Sequence, residues 1–286
     1  MTKCMNRAFD DEIAQYLKTG DYDDIRATLW PGRNSYEKIK NQHDKLLSAL
    51  INEVINRSKR CKKILLPKGF DLIQFTRKKC APMVNGLFPK KEVNIVMKTL
   101  ERACVFLTSD SIIPIIQNQR YLCTSWTIAN IYLRSIGANT LAEDYSVLGF
   151  SEETTLYISM EYFSNIDPFE DWVVHEGAHL FHNTKRRQIG LPYTRYKEWP
   201  LDIDFLKREN FAYLCEVYHC IKAQAKNKNE RIKLFEKYSK GILPSKEFVN
   251  QDEFLDNLKD AVQARNGWKS ILNRCRRNII RTNAEK

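Results

Sequence analysis

Along the first sixty positions, apolar residues recur at helical spacing. Phe9, Ile13, Tyr16 and Leu17 form one such stripe, and Leu46, Leu47, Leu50, Ile51 and Val54 form a second. Trp30-Pro31-Gly32 breaks the pattern between them. Residues 64–90 carry Pro67, Gly69, Pro82, Gly86 and Pro89, a density of breakers that predicts an irregular connector. From Pro89 to about Cys104 the spacing predicts a helix, followed by a short strand at Val105-Phe-Leu-Thr108. Arg120 to Ile136 predicts a long apolar helix, stopped by Gly137.

The pattern then changes. Tyr145-Ser-Val-Leu-Gly-Phe150 and Thr154-Thr-Leu-Tyr-Ile-Ser-Met160 are β-rich and separated by polar residues, which predicts a strand pair. Asp167-Pro168-Phe169-Glu170 has the marks of a helix start: a capping aspartate, proline at the first helical position and a carboxylate able to reach back. That helix is expected to run to about Gln188, with Lys185, Arg186 and Arg187 in its last turns and Gly190 closing it. After a loop holding Pro192, Tyr193, Tyr196, Trp199 and Pro200, a second helix covers about 202–226. The remainder is helical again and ends in a basic, fraying tail. The fold class is therefore α+β, predominantly α-helical, with a small β-sheet. The expected division is a helical N-terminal region, 1–88, of unassigned role, and a larger domain, 89–286.

Composition narrows the setting. Apolar residues are 43% and charged residues 28%, as in globular proteins. No apolar run approaches the ~20 residues of a membrane-spanning helix, and the first residues lack the apolar core of a secretory signal. A cytoplasmic location is the expectation. The eight cysteines are scattered without a Cys-x-x-Cys pair, so they are expected to be reduced and mostly buried. A net charge of +11 favours acidic partners. The basic runs do not alternate with aromatic residues, and no nucleic-acid-binding motif supports that class of partner.

The chemistry concentrates at His175-Glu176-Gly177-Ala178-His179, an H-E-x-x-H pattern. On a helix the two histidines share a face one turn apart, where both imidazoles can hold one zinc ion and leave a position open for water. Glu176 stands beside them to take the proton of that water. Asp171, Trp172, His179 and His182 fall on the front with His175, while Val173, Val174, Gly177, Leu180 and Phe181 fall on the back. Gly177 costs ~1 kcal/mol against alanine in mid-helix, and on the back face it would permit close packing. His182 lies ~4.5 Å further along the axis than His179, too far to share the ion. It is expected beside the site rather than in it, and His219 is expected to be structural.

At this point the sequence resembles the zincin metallopeptidases, and among them the gluzincins, in which a glutamate on a second helix completes the site. The match is Glu209 in Arg208-Glu209-Asn210-Phe211-Ala212, similar to the second helix of lethal-factor-type toxins. The resemblance covers about residues 155–222. It implies a zincin-like catalytic domain within 89–286, with a zinc ion held by His175, His179 and Glu209 and a protein or peptide substrate. It also implies that stretch 154–160 is an edge strand pairing with extended substrate. Where several gluzincins have an acid four residues after the ligand glutamate, this chain has Tyr213, so the task of orienting a zinc histidine passes to Tyr213, Glu216 or Asp171. Glu198 is the other candidate third ligand, but it stands immediately before Trp199-Pro200, where a helix is disfavoured. Candidates to stabilise an oxyanion are Tyr193, Arg195, Tyr196 and Tyr213, of which Tyr196 and Tyr213 are carried forward with Glu176 as catalytic residues. Two other classes remain open: a non-peptidase zinc hydrolase, and a basic partner- or nucleic-acid-binding protein with a structural or regulatory zinc.

Overall fold

The structure is a computed structural model and describes residues 3–277; the tail expected to fray, from Asn278 onward, lies outside the described residues. Helices dominate. In chain order they and the strands are α1 (Lys3–Thr19), α2 (Ser35–Ser58), α3 (Leu72–Leu87), α4 (Lys90–Ala103), β1 (Cys104–Phe106), α5 (Ile112–Gln117), α6 (Leu122–Ser135), β2 (Gly149–Glu152), β3 (Thr155–Ile158), α7 (Trp172–Asn183), α8 (Arg208–Gln224), α9 (Lys228–Tyr238), α10 (Gln251–Gln263) and α11 (Gly267–Cys275). The α+β, mainly helical class holds. No helix among the described residues is long and apolar enough to cross a membrane.

The chain forms two compact units. The first comprises residues 1–70, 106–150 and 157–164, and the second comprises 71–105, 151–156 and 165–286. In the first, the heptad-like stripe of α2 buries Leu46, Leu50 and Val54, and α2 packs against α1, α5 and α6. Two long-range bonds tie α1 to α6: the Tyr16 hydroxyl donates to the Leu122 carbonyl (2.8 Å) and the Trp126 indole donates to the Leu17 carbonyl (3.0 Å). Buried Glu12 accepts from both the Trp30 indole and the Gln42 amide, so the break at Trp30-Pro31-Gly32 is also an anchor.

The second unit is helical apart from strand ends, and it contains the first correction. Residues 72–87 are not a connector but helix α3, with Pro82 in its interior. Asp71 caps it by accepting from the Gln74 amide at 2.9 Å. Its buried face is Thr76, Cys80, Met83, Val84 and Leu87, packed on α4, α7 and α11. Each buried apolar side chain contributes about 1.5–3 kcal/mol, and together they outweigh the roughly 3 kcal/mol that an interior proline costs. Gly86 is required here for a different reason than turning the chain: a Cβ on it would lie 2.0 Å from the fully buried Trp268 ring of α11.

The strands form one sheet in the order β1-β3-β2. Thr155–Ile158 is therefore the middle strand, with both edges taken by neighbours, and not the edge strand implied by the family resemblance. The exposed edges belong to the short strands Cys104–Phe106 and Gly149–Glu152. The hairpin turn places Glu153 at φ 48°, and the Thr184 hydroxyl at the end of α7 donates to the Glu153 carbonyl.

Of the described cysteines, 80, 104, 215, 220 and 275 are buried and all are free thiols. Gly177 does sit on the packed face of α7, but a Cβ there would meet Cys80, Leu100 and Met83 at 3.5–3.6 Å, ordinary contact distances. The two helical glycines should thus respond oppositely to alanine. Gly177→Ala should raise the thermal midpoint by an amount corresponding to about 1 kcal/mol, while Gly86→Ala should lower stability by about 1–3 kcal/mol through overpacking against Trp268. Chemical denaturation of both variants checks the pair of signs.

Candidate metal centre

Helix α7 begins four residues later than its sequence suggests. Asp167 does cap, but only a turn, its Oδ1 accepting from the Phe169 amide at 2.8 Å; Glu170 accepts from the Asn165 side chain. The helix cap is Asp171, whose side chain accepts from the Val174 amide at 3.3 Å. Three partners fix it there. Glu216 of α8 accepts the Asp171 backbone N–H at 2.8 Å, Lys79 of α3 pairs with Oδ2 at 2.7 Å, and His219 of α8 stands 3.8 Å from the same oxygen. The helix also stops earlier, at Asn183. Lys185, Arg186 and Arg187 lie beyond it, the last two opening a short 3-10 turn (Arg186–Ile189) that Gly190 closes at φ 78°.

The front face of α7 carries the chemistry. The Nε2 atoms of His175 and His179 lie 3.2 Å apart, and Glu209 Oε2 of α8 is 3.8 and 3.5 Å from them. A triangle with those sides has a circumradius of about 2.0 Å, the length of a zinc–imidazole or zinc–carboxylate bond. Two imidazoles and one carboxylate are also the donor types of catalytic zinc sites. Among the described residues no other trio of histidine, cysteine, aspartate or glutamate donors converges in this way. The histidine side chains are 12% and 10% exposed and that of Glu209 is 43% exposed, so the cluster opens to solvent on the α8 side.

The remaining ring nitrogens are both engaged. Glu216 Oε2 is 3.0 Å from His175 Nδ1, and His182 Nε2 is 3.0 Å from His179 Nδ1. With Nδ1 occupied on each ring, both Nε2 atoms are left to face one point. Of the three orienting candidates, Glu216 is the one in contact with a ring nitrogen of His175 or His179. Tyr213 instead lays its ring 4.5 Å from that of His175, and Asp171 acts through the backbone of the helix start. Burial, with the nearby His179 and Arg208 charges, pushes the His182 imidazole down to about 2, so it is neutral. Its other ring nitrogen, Nδ1, is buried and without a hydrogen-bond partner among the described residues.

Electrostatics favour a cation at this point. Burial alone would lower the His175 pKa, but Glu209, Glu216 and Glu176 outweigh it and hold the imidazole up at about 10. Glu209 is buried enough to be raised, yet the two histidines keep its carboxyl well below the ordinary range. Burial and the surrounding carboxylates push the Tyr213 hydroxyl up to about 12, which keeps it a donor at neutral pH. Glu176 is buried on α7 and acts on both His175 and Tyr213 through space.

Other candidates stand apart. Glu198 pairs with Lys185 at 2.6 Å, with its side chain 52% exposed. Tyr196 is 88% exposed and Tyr193 62%, and neither makes a hydrogen bond or ring contact to the histidines. His219 is buried beside Asp171, in a structural position. Lys79 was not foreseen: it lies 92 residues from Asp171 in sequence, in the segment expected to be a connector, and no local signal marks it.

No protein-family model, curated protein or solved structure matches the chain.

Two measurements follow from this geometry. Glu216→Ala should weaken zinc binding by about 10–100-fold, read by competition with a chromophoric chelator; unchanged affinity would show that the Nδ1 contact is dispensable. Because the ion-free chain holds a proton on His175 up to about pH 10, zinc added at pH 8 must displace it. Calorimetric titration in buffers of differing ionisation enthalpy should report about one proton released per zinc, and uptake or no release would contradict the assignment.

Proposed function

We propose that the chain is a zinc-dependent hydrolase acting on peptide bonds, with a zincin-like core in which His175, His179 and Glu209 hold the ion. The observation that carries this reading is the convergence of three donor atoms at bonding radius, on rings whose other nitrogens are already engaged by Glu216 and His182. All the residues invoked belong to the second compact unit. The donor set fits zinc, which when bound would supply Lewis acidity and lower the pKa of water.

The protein's own groups then have defined tasks. Glu176, buried on the same helix one residue from His175, accepts the proton of the attacking water at its carboxylate and passes it to the departing amine nitrogen. Glu216 fixes the His175 ring and Asp171 fixes the start of the helix, so the nucleophile and base are held in one frame. Tyr213 offers a protonated hydroxyl beside His175 and is the tyrosine we assign to oxyanion stabilisation; it packs at the site, whereas Tyr196 stands in solvent. Lys79 neutralises part of the buried carboxylate cluster through Asp171.

Metal analysis of the purified chain tests the ion. Wild type and Glu198→Ala should each retain one zinc, and Glu209→Ala should lose it; the reverse order would transfer the ligand to Glu198. Incubation with a proteome-derived peptide mixture and mass spectrometry tests the reaction. Cleavage should fall by about 10²–10⁴-fold in Glu176→Gln while zinc stays bound. A zinc-loaded wild type that cleaves no peptide in the mixture would overturn the peptidase assignment.

A further inference from the structure

Beyond the end of α7 the chain makes a loop whose two ends are pinned together from inside. The Arg186 backbone N–H donates to the Glu198 carbonyl at 2.8 Å. The Arg186 side chain, 5% exposed, pairs with Glu92 at 2.7 Å and also donates to the carbonyls of Pro192 and Pro200. One buried guanidinium thus holds the loop at two places and anchors it to α4. The sequence placed Arg186 in the last turns of the helix; the structure puts it beyond the helix end, as an internal clamp.

The clamped loop encloses a recess of about 400 Å³ lined by Lys185, Arg187, Tyr193, Thr194, Arg195 and Glu198. Its charges are not balanced. Lys185 is satisfied by Glu198 at 2.6 Å and lies over the Trp199 ring at 5.7 Å. Among the described residues, Arg187 and Arg195 have no ion-pair partner. Two arginines without an ion-pair partner on the lining of one recess suit a carboxylate, which a guanidinium can bind through paired N–H donors.

We propose that this recess binds an acidic side chain of a peptide, with Arg187 and Arg195 as the residues that determine that specificity. Its placement relative to a scissile bond rests on the hydrolase reading; the recess itself does not. Lys185, at one edge of the recess, stands two residues beyond the end of α7, the helix that carries His175 and His179. A concave recess that holds one or two side chains favours a peptide over nucleic acid, which needs charge along a groove with stacking rings in series. On this reading Arg195 selects substrate, and does not stabilise the oxyanion.

Fluorescence anisotropy on the full zinc-loaded chain carrying Glu176→Gln tests the assignment with short labelled probes. One peptide has a run of glutamates, a second has glutamines in their place, a third has lysines, and a fourth probe is an oligothymidylate. The glutamate peptide should bind at least about tenfold more tightly than the glutamine peptide. Arg187→Ala with Arg195→Ala should remove that preference, whereas Lys259→Ala with Lys269→Ala, an equal charge change elsewhere, should leave it within about twofold. Arg187→Glu with Arg195→Glu should transfer the preference to the lysine peptide, a gain that misfolding cannot mimic. Equal loss in the two alanine pairs would overturn the proposal in favour of diffuse charge. Oligothymidylate binding that depends on Arg187 and Arg195 while peptide binding does not would overturn it in favour of nucleic acid. Repeating the peptide titration after chelation, beside the cleavage assay on wild type, separates the two readings: preference retained without zinc leaves the recess standing, and a zinc-loaded wild type that cleaves no peptide removes the hydrolase alone.

Discussion

Glu216 is the residue on which the candidate site depends. One of its oxygens accepts the backbone N–H of Asp171, and the other meets the Nδ1 of His175. A single buried carboxylate on α8 therefore fixes where α7 begins and which way its first histidine points. Hydrogen bonds to a charged group are worth about 1.5–3 kcal/mol each, and more is lost when one partner is removed and the other stays buried. Register, orientation and the approach of α8 to α7 are thus one interaction, and Glu209 is delivered by the same helix two turns earlier.

That arrangement concentrates negative charge. Asp171, Glu176, Glu209 and Glu216 gather around two imidazoles, with Lys79 the cation drawn in to compensate. Asp171, Glu176 and Glu216 are buried, and carboxylates so placed are costly unless positive charge stands among them. In the ion-free chain a proton on His175 serves, which is why its basicity is raised so far. The same field that holds the proton is suited to a divalent cation in its place. His182 completes the set by remaining neutral, since a second charged ring against His179 would oppose both.

Much of this was legible in the sequence, and the gaps have a common physical origin. The stripes in α1, α2 and α6 are local periodicities, so helices form where they were expected. The start of α7 was misplaced because Asp167-Pro168-Phe169-Glu170 satisfies every local rule for a cap, while the contact that decides the matter comes from Glu216, 45 residues away. Helix α3 was missed because Pro82 and Gly86 are breakers by propensity. Burial of Cys80, Met83, Val84 and Leu87 overrides the first, and the Trp268 ring, far along the chain, explains the second. The position of Thr155–Ile158 inside the sheet depends on a pairing with β1 that no alternation pattern encodes. The His175, His179 and Glu209 trio was visible because helical spacing alone aligns two of its members.

The interleaving of the two units bears on how the chain is made. It passes between them five times, and the first unit is complete once Ser164 has emerged, before any residue of α7 exists. Helices α3 and α4 belong to the second unit but are synthesised in the midst of the first. Their apolar face has no α7, α8 or α11 to meet until much later, a wait on the order of ten seconds at 5–20 residues per second. During that interval a nascent chain displays Met83, Val84 and Leu87 to its surroundings. Production of this protein is therefore most vulnerable to aggregation at an intermediate length, and synonymous changes that slow translation between α4 and α7 would lengthen the exposure.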